Sequence, residues 1–151
     1  MHRRFLTCAA ACALALAAPA AAADATFDRK AGDLILHDFH GRPIWELQAM
    51  CAGFHRATAA YWTGKARPDR ARKAKVSSAQ ATNRVVVQLR RDRQITDRNE
   101  AVRFAAASEQ VGWRVTGRAL AKDGTDEDGQ WSFWRSACDE VDRAFFAQTG
   151  G

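Results

Sequence analysis

Three observations predict an all-α chain, an antiparallel up-down four-helix bundle. After residue 43 the apolar residues recur at steps of three and four, the helical period, rather than in alternation. Breaks at Gly64–Pro68, 94–97 and 122–129 divide this region into four helix-length segments with short links. The first and last segments each carry a cysteine at the third position of an apolar stripe, so the two can be joined by a disulfide.

The chain begins with a secretory signal peptide, 1–23. His2, Arg3 and Arg4 form a basic start, an Ala- and Leu-rich apolar run follows from Phe5, Pro19 ends it, and Ala21-Ala22-Ala23 supplies the small residues that signal peptidase requires. Cleavage there yields Asp24 as the first mature residue; cleavage after Ala25 yields Thr26. Cys8 and Cys12 leave with the signal, and only Cys51 and Cys138 remain. Export places them in an oxidising compartment, the periplasm or the exterior, where a disulfide is expected. The mature chain has about 128 residues, the 151 of the whole less 23, enough for one domain with a real core. Its net charge falls from +6 to about +4 as Arg3 and Arg4 are lost. No later segment is apolar enough to cross a membrane.

A leader follows at 24–43, with the short apolar run Leu34-Ile35-Leu36 and a break at Gly41 and Pro43. The helical bundle domain spans 44–148. In the first helix, 44–62, the stripe is Ile44, Leu47, Cys51, Phe54, Thr58 and Tyr61, and Gly64 is placed to end the helix. The second runs from Pro68 to Arg93 with a thin stripe of Ala79, Thr82, Val86 and Leu89, widened by Val85 and Val87. Asp97, three residues before Glu100, predicts a capped start for the third, whose stripe is Ala101, Phe104, Ser108, Val111 and Val115. Gly112 within it predicts either a bend or a close helix crossing. In the polar loop 122–129, Asp126 or Asp128 is expected to cap the fourth helix, whose stripe is Trp131, Trp134, Cys138, Val141 and Phe145. With helices one and four antiparallel, Cys51 opposite Cys138 also sets Leu47 against Val141, Phe54 against Trp134, and Thr58 against Trp131.

Function is less legible. Residues 65–103 hold twelve Lys or Arg against four acids, a local net of +8. A face of that kind suits an anionic envelope component or an acidic protein partner, and equally a helix that is merely solvated. Arg84, Arg90, Arg91 and Arg93 are its candidate contact residues. Nucleic acid is not expected as a partner of an exported chain.

His37, His40 and His55 are candidate metal ligands, though an H-x-x-H pair without neighbouring Cys or Glu ligands is not a metal motif. They and the aromatic interior define the alternative, a small-ligand or metal carrier; Trp45, Trp62 and Phe133 lie off the stripes and are candidates for lining a pocket or patch. A calcium loop at 122–129 fails, since Gly124 and Arg135 would fill positions that need carboxylates. Haem is excluded as a reading because there is no C-x-x-C-H and no histidine in the fourth helix to oppose Met50. No Ser–His–acid, paired-carboxylate or C-x-x-C arrangement suggests an enzyme, and no cofactor is expected. The composition sets no oligomeric state.

Overall fold

A computed structural model describes residues 41–150. The signal peptide, the apolar run of the leader, His37 and His40 lie outside the described residues. Within them there are four helices and no strands: α1 Ile44–Gly64, α2 Pro68–Arg93, α3 Arg98–Asp123 and α4 Gln130–Thr149.

The helix ends follow local chemistry. Pro68 opens α2, and Asp97 accepts a hydrogen bond from the Glu100 N–H at 2.8 Å to cap α3. Gly150 closes α4 in the left-handed conformation. Two expectations fail. Gly64 is the last residue of α1 rather than its left-handed terminator; Ala66, at φ +52, takes that conformation two residues later. Neither Asp126 nor Asp128 caps α4, because Gly129 holds the cap position and its N–H bonds the Asp126 carbonyl at 3.2 Å, closing the loop on itself.

α1 is the axis of the molecule. Every residue from Leu47 to Phe54 is buried, so the helix is covered on all sides rather than along one stripe. Leu47, Met50, Cys51 and Phe54 join Val111 and Val115 of α3 and Trp134, Cys138 and Val141 of α4 in one core cluster. Trp45 and Ala49 join Val85, Val86 and Leu89 of α2 and Ala101 and Ala105 of α3 in a second. Trp45, an off-stripe residue, is therefore core.

The Cys51–Cys138 disulfide ties α1 to α4 with the Cα atoms 5.5 Å apart. Trp131 Nε1 donates to Thr58 Oγ1 at 3.0 Å, and Gln48 Nε2 donates to the Val141 carbonyl at 3.4 Å, so contacts run in opposite order along the two helices. Contacts between α1 and α3 run in the same order, Trp45 with Phe104, Met50 with Gly112, Tyr61 with Gly124. These two helices cross at glycine. A Cβ on Gly53 would overlap the Glu109 carbonyl oxygen and come within 2.7 Å of the Trp113 nitrogen; one on Gly112 would overlap the Met50 carbonyl. Of the two outcomes predicted for Gly112, the close crossing is the one that occurs.

That crossing explains the misplaced stripe residues. Where backbones nearly touch, only small side chains fit, so α3 turns Ala101, Ala105 and Gly112 inward, and Phe104 is about half exposed (49%) against the Trp45 ring. On α2, Val85, Val86 and Leu89 of the expected stripe do face the core, but Ala79 and Val87 are exposed and Ala71, Ala74 and Ala81 are buried in addition.

Candidate functional site

The basic segment is divided by the fold. Arg84 turns inward: its Nη1 donates to Asp142 Oδ1 at 2.7 Å, and its guanidinium lies 5.2 Å from the Phe146 ring centre. Gln48, fully buried on α1, donates to the same carboxylate oxygen at 3.1 Å. Arg91 is held similarly, donating to Gln88 Oε1 at 2.7 Å and to Gln148 Oε1 on α4 at 3.3 Å. α2 and α4 thus meet over α1 through long polar side chains. Arg90 reaches the Thr96 carbonyl at 3.4 Å across the α2–α3 turn, and Arg93 is exposed. The four candidate arginines therefore do not form one patch: Arg84 binds into the α1–α2–α4 seam, whereas Arg90, Arg91 and Arg93 are exposed at the end of α2, Arg91 bonding Asp92 as well as Gln88 and Gln148.

The other cations of this region are outside the seam. Arg70 stacks over Trp62 at 4.6 Å and Lys65 over Tyr61 at 5.5 Å, so the off-stripe Trp62 supports a charge at the α1–α2 turn. Lys73 and Lys75 are exposed, and among the described residues neither has a carboxylate within ion-pair reach. Phe133 is exposed on α4.

Further along α1 from the seam, α2 and α3 part to leave a groove of about 620 Å³. Three helical spacings build it: Arg56, Ala59, Ala60 and Thr63 from α1, Lys75 and Ser78 from α2, Gln110 and Trp113 from α3. Arg56 is fixed by Glu109, 2.7 Å from its Nη1, and by the Trp113 ring 4.8 Å away. Sequence reasoning missed this groove because its walls come from three helices whose rotations depend on the Gly53–Gly112 crossing; the visible signal was the small pair Ala59-Ala60 beside two cationic positions.

His55 lies partly buried beside the Phe54 ring, 5.0 Å between centroids. Burial lowers its pKa below the ordinary 6.5, against the opposing pull of Asp142 and Asp139. Among the described residues no three His, Cys, Asp or Glu side chains are grouped to hold a metal ion, and His55 stands apart from any such set. No described helix is long and apolar enough to cross a membrane.

Neither a protein-family model, nor a curated protein, nor a solved structure matches this chain.

Proposed function

We propose that the protein is exported, to the periplasm or the exterior, and acts without catalysis as a binding or accessory protein at the cell envelope. Its partner is an anionic envelope component or an acidic protein surface, held by the cations of α2. In this reading 1–23 is a cleaved signal, 24–43 a leader, and 44–148 an antiparallel up-down bundle. The observation that carries the reading is the division of the α2 charges. Arg84 is bonded inward and the exposed Arg91 is paired with Asp92, whereas Lys73, Lys75 and Arg93 stand in solvent with no carboxylate in reach among the described residues. The Cys51–Cys138 disulfide is compatible with an oxidising compartment.

Cosedimentation of the mature protein with anionic phospholipid vesicles or cell-wall fragments tests this. Binding is expected at low salt and should weaken steeply as salt is added, because exposed charges are screened beyond roughly 10 Å at 0.1 M. Lys73→Glu, Arg90→Glu and Arg93→Glu together should abolish it while leaving Arg84 and Arg91 with their bonds, and so the fold, in place. Absence of binding at low salt returns α2 to a solvated face. The intact mass of the exported protein should begin at Asp24 or Thr26; a form that retains Cys8 removes the export reading.

A further inference from the structure

We propose that the groove between α2 and α3 is a binding site for a small amphiphilic monoanion, a carboxylate or sulfonate carried on a flat or extended apolar body. This goes beyond the surface reading of α2 and does not depend on it.

The argument starts from what the groove is made of. Its floor is one face of α1, where Ala59 and Ala60 are too small to fill the space between the flanking helices. α3 is drawn against α1 at Gly53 and Gly112, and α2 is held to α1 at the same level by the Ser78 hydroxyl, which donates to the Ala52 carbonyl at 2.9 Å, so the space opens beyond that level, over Arg56 to Thr63. About 620 Å³ lies within the range of roughly 300–1,000 Å³ occupied by small-molecule sites.

The charge is placed to recognise an anion. Lys75 enters from the α2 wall and, among the described residues, has no carboxylate partner. Arg56 enters from the floor, and its guanidinium is already oriented by Glu109 at Nη1, by Gln110 Oε1 at 3.4 Å from Nη2, and by stacking against Trp113, so a ligand oxygen joins it as a further acceptor. Such a fork is pre-organised, so little freedom is lost when a ligand oxygen joins it. Glu109 offsets one of the two positive charges, which leaves a single net charge and favours a monoanion. The Ser78 and Thr63 hydroxyl protons are turned to the backbone carbonyls of Ala52 and Ala59, so the anion is left to the two cations. Trp113, Ala59 and Ala60 supply the apolar surface for the rest of the ligand.

The probe is 8-anilinonaphthalene-1-sulfonate, an aromatic monosulfonate, titrated into the disulfide-intact mature protein. One saturable site is expected, with energy transfer from tryptophan. Lys75→Glu should weaken it by about tenfold or more, as reversal of a paired charge does, and Ala60→Phe should abolish it by filling the groove from a solvent-exposed position. The neutral analogue N-phenyl-1-naphthylamine should bind at least about tenfold more weakly. Lys73→Glu with Arg90→Glu and Arg93→Glu should leave the probe affinity unchanged even where vesicle binding is lost, which separates this site from the surface reading. Circular dichroism melts show whether each variant is folded. If folded Lys75→Glu and Ala60→Phe proteins bind the probe like the parent, or the neutral analogue binds equally well, the anion site is overturned. If Ala60→Phe fails to fold, Thr63→Phe, at an exposed groove position whose hydroxyl bonds only its own helix, serves as the filling variant with the same two outcomes.

Discussion

His55 couples the fold to pH through its position rather than through any ligand. Burial favours its neutral imidazole, so the folded-state pKa lies below the unfolded value near 6.5. The unfolded chain therefore binds more protons in this range, and the stability of the folded protein rises with pH. The contribution is complete above the unfolded pKa and is lost as pH falls through the folded one. Urea unfolding between about pH 7.5 and pH 5 should show a declining midpoint, and His55→Gln should flatten that decline. An unchanged slope in the variant would assign the decline to other groups. A second residue-scale prediction concerns Asp142. It receives both Arg84 and the buried Gln48, so Asp142→Ala leaves two donors without their acceptor and should lower stability by about 2 kcal/mol, within the range for bonds to a charged group. Arg84 was legible in the sequence only as one more cation on a basic helix. Its partner lies 58 positions away on another helix, and no local pattern announces a contact of that range.

Packing between helices is decided at Gly53 and Gly112. Gly53→Ala or Gly112→Ala places a methyl group where the other helix has backbone, which cannot rotate aside, so the helices must separate. Each should destabilise by about 3 kcal/mol or more, the upper end for overpacking. Gly117, on the same helix, has nothing within 4 Å of a built Cβ and is exposed. Gly117→Ala should instead stabilise by about 0.5–1 kcal/mol, since alanine restricts the unfolded chain and suits a helix interior. Thermal melts of the three variants read the contrast directly; equal effects at all three positions would remove the crossing as the cause. The sequence announced four helices because period, proline, glycine and capping residues act within a few positions. It announced their rotations less well. The stripe through Phe104 follows from hydrophobicity alone, whereas the inner face of α3 is selected by smallness, and a tight crossing puts Ala105 and Gly112 inside and Phe104 outside. The groove inherits that difficulty, since Trp113 and Gln110 become its wall only once α3 has turned this way.

At the scale of the whole molecule the first and last helices are held together chiefly by one covalent link and its surroundings. The register of α1 on α4 was legible because the two apolar stripes run in reverse order: Cys51 meets Cys138, Thr58 meets Trp131, and Leu47 and Phe54 share one core cluster with Val141 and Trp134. Both cysteines are only 2% exposed, so the bridge sits inside the core rather than on its surface. It joins positions 87 apart, and in the chain-entropy account a loop of that size confines the unfolded state by as much as about 4–5 kcal/mol. Folded-state contacts change little when it is removed, because Leu47, Phe54, Trp134 and Val141 still bury one another. Cys51→Ala with Cys138→Ala should therefore keep the helical circular dichroism and lose about 2–4 kcal/mol. The loss should come with a steeper dependence on urea, since an uncrosslinked unfolded chain expands and exposes more surface. Alanine is the proper replacement, because serine would bury a hydroxyl at a site built for sulfur. Cys51→Ala alone should be less well behaved, with Cys138 a buried thiol that becomes reactive on each opening and pairs between chains. An uncrosslinked double variant with the parent's urea midpoint and slope would show that the bridge does not constrain the unfolded chain, and that side-chain packing alone holds α4 to α1.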